Sequence, residues 1–447
     1  MFNRILIANR GEIAVRVIRA ARELGVETVA VYSTADADSK HVKMADRAVC
    51  IGKPAPAESY LNVPRIIAAA EVSDADAIHP GYGFLSENAD FAETVRSCNL
   101  EFIGPPVDAM RKLGDKVQCK QLAVANKVPT SPGSKGAVET EAQAKKVAND
   151  IGYPVMIKAA AGGGGRGMRV ARDDKSLISG FNAARQEAEA AFGDATVYLE
   201  RFIDKAKHVE VQVIGDSHGN VVHLWERDCT LQRRKQKLVE EAPCPVIDRA
   251  EAKKLCEAAA RLCKAAGYYS AGTVEFLRDD QGRFYLMEVN TRVQVEHPVT
   301  EMITGVDIVK TQIRVAAGEK LGFTQKQIKV NGHAIEARVN AEDPSRNFAP
   351  CAGPVHDFDP PGGPGVRVDT FLSAGAKIPP NYDSMVAKVI AHGDDRAAAV
   401  AKLRRALGEF DFGPGATTIG LHLDLLQNQS VLENDTDIHF VERLLDA

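Results

Sequence analysis

Two acidic residues and an amide lie in a segment whose pattern predicts a β-hairpin. The segment GTVEFLRDDQGRFYLMEVN has two β-rich runs on either side of a polar turn. A two- or four-residue loop centred on Gln281–Gly282 would place Glu275 opposite Glu288, with Asn290 on the same face. Opposed like charges are destabilising unless a cation lies between them, and an all-oxygen set suits Mg²⁺ or Mn²⁺ carried with nucleotide phosphates. The hairpin therefore predicts a metal site, with an exposed face of solvated acids as the alternative.

The segment that follows this hairpin adds a cation, an amide and a base. In NTRVQVEHPVTE, the residues Arg292, Gln294 and Glu296 alternate, so an extended backbone would present them on one face. That face would continue from the predicted metal strand and bring the three groups beside the metal. A polar strand face without a ligand is the alternative interpretation.

A run of glycines follows a strand that is predicted to end at Lys158. Residues 162–167 are GGGGRG, and glycines allow backbone N–H groups to approach phosphate oxygens. The run is neither a Walker A loop nor a Rossmann fingerprint, because no GK[ST] follows and the spacing is not GxGxxG. Its position before the strand MRVAR favours a hairpin tip that covers phosphates, and a flexible loop without a ligand stays open.

A basic run at 233–237, RRKQK, raises the question of nucleic acid binding. The run lacks interleaved aromatic residues and lies in a strand-rich region. The chain has 56 Lys and Arg against 60 Asp and Glu, and a net charge of −4 supplies no field that gathers a polyanion. We therefore expect the run to bind a small anion, and we expect no nucleic acid and no membrane as partner.

The composition is typical of a globular protein with two or three domains. The 447 residues are 45% apolar and 26% charged, unlike disordered, collagenous or disulfide-rich chains. No apolar stretch approaches the roughly 20 residues of a membrane-spanning helix, and the start MFNRILIANRGE is unlike a signal peptide, so we expect a cytoplasmic protein. The eight cysteines form no CxxC pair, which argues against a zinc ribbon or a dithiol redox centre.

The elements that must position these residues begin with a βαβ unit. RILIA at 4–8 is predicted as a buried strand, apolar residues then recur at helical spacing up to Gly25, and ETVAVYS at 27–33 is the next strand. A further strand, loop and helix are predicted at 76–91. The first 110 or so residues therefore predict a parallel α/β domain.

The pattern changes in the middle of the chain. Pro, Gly and Ser at 129–140 indicate a junction, and we place a domain boundary near 115–130. From 205 to 300, long alternating segments with polar turns predict an antiparallel sheet. A helix at about 305–317 precedes a region of short strands and turns that ends in helices.

Several short motifs occur along the chain in one order and spacing. They are IANRGEIA, HPGYGFLSEN, GGGGRGMR, ERDC, QRR.QK, EEAP, MEVNTRVQVEHPVTE and YDSM. In this order they resemble the biotin carboxylase family of ATP-grasp enzymes, from Ile5 to the last helix.

The resemblance implies a fold of α/β and α+β class with three regions. These are an N-terminal parallel α/β (Rossmann-like) domain at 1–115, an ATP-grasp domain at 120–317 and a C-terminal mixed α+β domain at 333–442. A mobile lid at about 131–203 would close over ATP, which would lie between the lid and the antiparallel sheet.

The resemblance also implies roles for individual residues. The implied nucleotide contacts are Lys116, Lys158, Gly164, Gly165, Glu200, Arg201, Phe202, Ile203, His208, Gln232, Lys235, Glu275 and Glu288. The implied metal ligands are Glu275, Glu288 and Asn290. The implied bicarbonate site consists of Lys237, Arg292, Gln294 and the backbone of Val295, and the implied biotin contacts are Tyr82 and Arg338. The implied catalytic residues are Arg292, Glu296, Lys237 and Arg338.

In such a site, Glu296 would deprotonate bicarbonate for attack on the γ-phosphate of ATP, and Arg338 would stabilise the biotin enolate. Where the family usually has QRRHQK, this chain has Lys235 in place of the histidine. It also has Ala161 where many members have a fifth glycine, and Pro364 in place of a bulky residue near the dimer contact of the family.

The resemblance implies partners as well as substrates. Biotin would arrive on a separate biotin carboxyl carrier protein, with carboxyltransferase subunits and a homodimer as further expectations. Lys43 in the sequence VKM is expected to be an ordinary surface lysine, because it lies in the α/β domain and no carrier module is evident after it. Acetyl-CoA is the expected final acceptor, with a 2-oxo acid as the alternative. Another ATP-grasp ligase and a nucleotide-binding paralogue without catalysis are the rival functions.

Overall fold

The computed structural model describes residues 1–134, 136–159, 168–413 and 415–446, with the backbone alone at 191 and 192. Contacts divide the chain into two units. The first unit contains Met1–Gly114, Lys207–Glu275 and the chain from Val289 onward, and the second contains Asp115–Ala206 and Phe276–Glu288. In the described part of the chain, no helix has the length and apolarity needed to cross a bilayer.

The first unit begins with a parallel sheet of five strands. In chain order the strands are β1 (Arg4–Ile7), β2 (Glu27–Ser33), β3 (Arg47–Gly52), β4 (Ala77–His79) and β5 (Glu101–Phe102). The helices between and after them are α1 (Gly11–Glu23), α2 (Lys40–Met44), α3 (Val63–Val72), α4 (Ala89–Ser97) and α5 (Val107–Gly114). The sheet order β3-β2-β1-β4-β5 confirms the predicted parallel α/β fold.

Helix α1 is buried along most of its length. Ile13 and Val17 pack with Ile5 of β1 on one side and with Ile308 and Ile313 from a later helix on the other. A helix that is apolar on more than one face must be covered on more than one face. The first helix is therefore held inside the unit by residues from distant parts of the chain.

The second unit contains a small antiparallel sheet with helices. Its helices are α6 (Lys116–Ala125), α7 (Glu141–Ile151) and α8 (Asp174–Phe192), and its strands are β6 (Val155–Ala159), β7 (Met168–Ala171) and β8 (Val197–Arg201), in the order β7-β6-β8. Lys158 is opposite Met168, so β6 and β7 pair as the predicted hairpin requires. The glycine run between them, with Gly164 and Gly165, lies outside the described residues.

An eight-stranded sheet contains the predicted antiparallel segments. Its order is β13-β12-β9-β10-β11-β14-β20-β18. The strands of this region are β9 (Lys207–Gly215), β10 (Val221–Arg233), β11 (Gln236–Ala242), β12 (Ser270–Arg278), β13 (Phe284–Asn290), β14 (His333–Asn340), β15 (Glu342–Asp343), β16 (Ala349–Pro350), β17 (Gly353–Pro354), β18 (Val366–Thr370), β19 (Lys377–Ile378) and β20 (Met385–Gly393). The sheet continues into C-terminal strands, and β15 with β16 and β17 with β19 form two small pairs.

Helices follow or interrupt these strands. They are α9 (Arg249–Ala265), α10 (His297–Thr304), α11 (Ile308–Ala316), α12 (Arg396–Glu409), α13 (Ile419–Leu425), α14 (Gln429–Leu432) and α15 (Phe440–Asp446). Helix α9 was not predicted, because the alternating strands on both sides dominated the pattern. Its signals are present in the sequence: Asp248 caps it, and Leu255, Ala259 and Leu262 are buried on one face.

The turn between β12 and β13 differs from the prediction. Asp279 N–H donates to Arg283 O at 3.0 Å, Gly282 N–H donates to Asp279 O at 3.0 Å, and Gly282 has a φ of +79°. The loop therefore has three residues rather than two or four, with glycine in the left-handed position that such loops need. The residue pairing next to the turn is shifted by one residue from the predicted pairing. This turn therefore does not support the direct opposition of Glu275 and Glu288.

Candidate active site

Three buried carboxylates surround the ammonium group of Lys237 in the first unit. Lys237 Nζ donates to Glu210 Oε2 at 2.6 Å, to Glu275 Oε1 at 3.0 Å and to Glu296 Oε1 at 2.6 Å. Burial favours the neutral amine, but the surrounding acidic groups raise the pKa of Lys237 well above its usual value. The lysine is therefore a permanent cation at the centre of the site.

The alternation of β9 explains how a carboxylate reaches this position. Val209, Val211 and Val213 are in the core, and Glu210 points to the other face of the sheet. Arg227 of β10 is opposite Glu210 and donates from Nε to Glu210 Oε1 at 2.5 Å. This fully buried arginine fixes Glu210 from the side away from Lys237.

Glu296 is the acid with two cationic partners. Its side chain is fully buried, and Arg338 Nη2 donates to Glu296 Oε2 at 3.0 Å while Lys237 bonds the other oxygen. Burial alone would raise the pKa of Glu296, but Lys237, Arg338 and Arg227 lower it well below the usual range. Glu296 therefore carries its charge before any substrate binds.

Glu296 is not in an extended segment, as the alternation had predicted. Strand β13 ends at Asn290, and Glu296 has φ −81° and ψ 10° at the start of α10. The Glu296 carboxylate makes no capping bond to the helix and is bonded instead by Lys237 and Arg338. The direction of the Glu296 side chain is therefore set at the start of α10 and not by the alternation of a strand.

Arg292 and Gln294 lie side by side, as predicted. Arg292 Nη1 donates to Gln294 Oε1 at 2.7 Å, and Arg292 Nη2 donates to Asn290 Oδ1 at 3.2 Å. Arg292 Nε lies 2.9 Å from Glu87 Oε2, in the N-terminal part of the chain. Gln294 Nε2 donates to Glu275 Oε1 at 3.1 Å, so these two residues join the carboxylates around Lys237.

Glu275 has three polar contacts within the first unit. It accepts from Lys237 and Gln294, and its Oε2 lies 3.2 Å from His208 Nε2. Although burial would raise the pKa of Glu275, Lys237 and His208 lower it, so the group is a carboxylate. Burial would lower the pKa of His208, but Glu275 raises it. The predicted nucleotide residue His208 and the predicted metal ligand Glu275 are thus in contact.

The three predicted metal ligands have the donor atoms that a hard divalent cation prefers. Glu275 and Asn290 belong to the first unit, and Glu288 belongs to the second unit and is exposed. All three offer oxygen, the ligand that Mg²⁺ and Mn²⁺ prefer. The carboxylate of Glu275 already has three contacts, and it can still accept one further partner. A second acidic cluster, with His208, Glu210 and Glu275, is already bridged by the ammonium of Lys237.

Each of the predicted biotin residues is bonded to a buried carboxylate. Arg338 on β14 donates from Nε to Glu240 Oε1 at 2.6 Å, in addition to its bond with Glu296. Tyr82 donates from its hydroxyl to Glu12 Oε1. Lys388 Nζ lies 3.1 Å from the same oxygen and donates to Val295 O at 2.7 Å, which fixes the backbone at the predicted bicarbonate position.

Several predicted nucleotide residues lie in the second unit. Lys158 Nζ donates to Glu200 Oε2 at 2.6 Å, and Lys120 Nζ donates to Glu200 Oε1 at 3.0 Å. Burial would raise the pKa of Glu200, but the two lysines lower it to about 2. Lys116 is the first residue of α6, and residues 201–203 begin at the last residue of β8. This unit therefore offers two fixed cations on one carboxylate.

Gln232 and Lys235 lie at the β10–β11 hairpin of the first unit. Gln232 is opposite Lys237, and Arg233 is opposite Gln236, so Arg234 and Lys235 form a two-residue turn. Arg234 has a φ of +47° and Lys235 a φ of +66°. Lys235 is exposed at this turn. The basic run is thus a hairpin tip rather than a continuous strand.

Sequence reasoning missed several charged residues that lie near the predicted site residues. They are Glu12, Glu87, Lys120, Glu210, Arg227, Glu240, Glu336 and Lys388. A signal was available for some of them, because charged residues alternate with buried apolar residues in HVEVQV and HAIEARV. A charge on a strand that belongs to the interior requires a partner.

Comparisons with known proteins cover almost the whole chain. The family model described as "Biotin carboxylase, N-terminal domain" matches residues 1–110. The model described as "Carbamoyl-phosphate synthase L chain, ATP binding domain" matches 115–324, and the "Biotin carboxylase C-terminal domain" matches 336–443.

Individual relatives match at full length. A biotin carboxylase from Nostoc sp. is 53% identical over 99% of both chains. The structure of a biotin carboxylase complex with β,γ-ATP from Campylobacter jejuni has a TM-score of 0.95, with 48% identity over 99% of both chains. The biotin carboxylase domain dimer of Hydrogenobacter thermophilus 2-oxoglutarate carboxylase, with MgADP, ADP and bicarbonate, has a TM-score of 0.94, with 46% identity over 99% of this chain and 98% of that one. Matches of this identity and extent, together with the site geometry, show that the chain belongs to the biotin carboxylase family.

Proposed function

We propose that this protein carboxylates the N1′ atom of biotin, with ATP and bicarbonate as co-substrates. The observation that carries the proposal is the cluster in which Lys237, Glu296 and Arg338 pair next to Arg292 and Gln294. Fixed cations and an amide beside an ionised carboxylate can hold a small anion and accept its proton. An ATP-grasp ligase that activates a larger carboxylate would not need this set.

Bicarbonate would bind to Lys237, Arg292, Gln294 and the backbone of Val295. Glu296 would take the proton of bicarbonate as a bicarbonate oxygen bonds to the γ-phosphorus and ADP leaves. Because its cationic partners keep the pKa of Glu296 low, it is a weak base in the free protein. The proton transfer therefore has to accompany the attack, when the O–H of bicarbonate becomes more acidic.

The carboxyphosphate so formed would break down to CO₂ and phosphate. The phosphate would take the proton from biotin N1′, and the nitrogen would then bond to the carbon of CO₂. Arg338 would stabilise the negative charge on the biotin ring, and Tyr82 would lie near the ring. The bond from Arg338 to Glu240 supports this role, because it holds the guanidinium beside Glu296.

ATP would be bound by the predicted nucleotide residues, with the predicted lid at 131–203 covering its phosphates. Mg²⁺ or Mn²⁺ on Glu275, Glu288 and Asn290 would supply charge neutralisation at the γ-phosphate. Lys116 and Lys158 would contact the nucleotide, and Glu200 would hold Lys158 in place. We keep the three predicted domains, 1–115, 120–317 and 333–442, as part of this proposal.

We further propose that the protein works as one subunit of a multisubunit carboxylase. Biotin would be presented by a separate carrier protein, and carboxyltransferase subunits would pass the carboxyl group to an acyl-CoA, with acetyl-CoA as the first candidate. The relative from Hydrogenobacter thermophilus belongs to a 2-oxoglutarate carboxylase and crystallised as a dimer. That relative supports a homodimer here and keeps a 2-oxo acid as the second candidate acceptor.

An ATP hydrolysis assay tests the proposal directly. We expect hydrolysis by the purified protein to require bicarbonate and Mg²⁺ or Mn²⁺, and free biotin to accelerate turnover. Glu288→Gln should reduce turnover by orders of magnitude without unfolding the protein, because it removes charge from the metal site. Hydrolysis at the same rate without bicarbonate would contradict the proposal.

A further inference from the structure

Two glutamates lie opposite each other in the middle of the eight-stranded sheet. Glu240 of β11 and Glu336 of β14 are Cα partners, so their side chains project from the same face. Both side chains are fully buried. Two carboxylates buried side by side cannot both be ionised at low cost, so a pair of this kind keeps one proton.

The two acids differ in their partners. Glu240 Oε1 accepts from Arg338 Nε at 2.6 Å and lies 2.5 Å from Arg338 Nη2. Among the described residues, neither oxygen of Glu336 has a hydrogen-bond partner, and Glu240 Oε2 has none. The nearby cation Lys388 is engaged with Glu12 and with the backbone of Val295. Because Arg338 pairs with Glu240, the proton of the pair belongs on Glu336.

We propose that Glu336 is a positioning residue for biotin carboxylation: as a neutral carboxylic acid it holds the Glu240 carboxylate, and Glu240 in turn holds Arg338 toward the biotin site. This inference rests on the proposed function of Arg338. It adds a residue that acts through two others and contacts no substrate.

The electrostatic surroundings agree with this assignment. Burial raises the pKa of Glu336 well above its usual range, Lys388 and Arg338 oppose the shift, and Glu240 adds to it. Burial also raises the pKa of Glu240, to about 7, against the effect of Arg338. The charged and titratable groups that face Glu336 from the surrounding elements are Tyr82, Glu240, Glu296, Arg338 and Lys388.

The test compares Glu336→Gln with Glu336→Leu. The glutamine has the shape of the neutral acid and keeps a donor, so kcat and the KM for biotin should stay within about twofold of the wild type near neutral pH. The leucine removes the donor, so biotin-stimulated turnover should fall about tenfold or more, while bicarbonate-dependent ATP hydrolysis without biotin changes much less. A glutamine variant as impaired as the leucine variant would overturn the proposal.

The pH dependence gives a readout that a purely structural role would not move. At alkaline pH the pair loses its proton, and the ratio of biotin-stimulated to unstimulated hydrolysis should fall in the wild type. Glu336→Gln cannot ionise, so this fall should vanish, while the matched variant Glu226→Gln, at another buried acid on β10, should keep it. The same alkaline fall in Glu336→Gln would refute the proton-sharing pair.

Infrared spectroscopy separates this inference from the proposed function. The wild type should show the carbonyl stretching band of a protonated carboxylic acid that persists at neutral pH and is lost in Glu336→Gln. This measurement needs no activity and remains decisive if Glu336→Leu does not fold. A band unchanged by Glu336→Gln would overturn the assignment even in an active enzyme.

Discussion

At the residue scale, the site is held by buried charges that neutralise one another. Lys237 has an exposed side-chain fraction of only 12%, and Arg227 behind it has none. Buried ion pairs add little net stability, but removing one partner leaves the other charge buried and uncompensated. The site residues are therefore coupled, and each substitution must be judged by the partner it strands.

Glu296→Gln tests this coupling together with catalysis. Without the base, turnover should fall by about 10²- to 10⁴-fold. The variant strands Lys237 and Arg338, so at pH 7 it should lose about 3–5 kcal/mol of unfolding free energy. The folded pKa of Glu296 lies below its unfolded value of about 4.3, so this stabilisation is complete above pH 4.3 and is lost as the pH falls toward the folded pKa.

Urea unfolding of both proteins across this pH range measures the difference. Glu226→Gln is a matched control of opposite sign, because burial raises the pKa of Glu226 and the wild-type acid gains stability as the pH falls. A Glu296→Gln deficit that does not shrink in acid would show that the charge of Glu296 is not what stabilises the fold.

Arg338→Ala should separate the two halves of the proposed reaction. The guanidinium is assigned to the charge on biotin, so biotin-stimulated turnover should fall about a hundredfold. Bicarbonate-dependent ATP cleavage without biotin should fall much less. Arg338→Lys keeps the charge but cannot bond Glu240 and Glu296 in the same geometry. Its biotin-stimulated turnover should therefore lie between those of the wild type and Arg338→Ala. Equal losses in both assays would assign Arg338 to structure.

At the element scale, turns decide where side chains of the strands point. The β10–β11 hairpin is closed by Arg234 and Lys235, both with positive φ, a position that glycine occupies more easily. Lys235 thus lies at the tip of the hairpin, close in sequence to the paired residues Gln232 and Lys237. Lys235 is also one of the positions at which the sequence departs from the family motifs described above.

Lys235→Gly tests the nucleotide role of this tip without disturbing the turn. Glycine suits the φ of +66°, so thermal stability should not fall. The KM for ATP should rise severalfold with kcat unchanged, as expected when a contact equal in ground and transition states is lost. Arg234→Gly, with the same relief of backbone strain, should leave the KM for ATP unchanged. A fall in kcat with unchanged KM would assign Lys235 to the chemical step.

At the scale of the whole molecule, the site gathers residues from the N-terminal, central and C-terminal parts of the chain. Glu87, Lys237 and Arg338 are far apart in sequence, yet all contact one charge network within the first unit. A fold with this arrangement can present a fixed anion site while biotin comes from outside. Binding of each proposed partner can be tested with the purified protein.

The polypeptide described here should not itself carry biotin. A biotin carrier holds its lysine at the tip of a hairpin, but Lys43 lies on α2, a helix of the parallel α/β region. After expression beside a biotin ligase, labelled streptavidin should give no signal with this chain and a clear signal with a separate carrier. A stoichiometric signal on this polypeptide would refute the two-component scheme.

The sequence alone was sufficient to predict the fold class and several neighbours in the site. Strand β2 has the predicted bounds, and Arg292 and Gln294 are adjacent, because periodicity and short spacing are local properties. Family motifs supplied the rest of the residue roles, and these roles remain proposals. Helix α9 carried its own local signals and was missed only because neighbouring strands dominated the pattern.

Only the tertiary structure decided which charges meet. Glu210, Glu275 and Glu296 bond Lys237 from three separate segments, and Glu240 is opposite Glu336 because β11 pairs with β14. No periodicity encodes such pairings, since they follow from sheet order. The low pKa of Glu296 and the high pKa of Glu336 likewise arise from burial and neighbours, which the sequence does not contain. The residue types of the sequence determine which chemical groups are available to the site, and packing sets their protonation states.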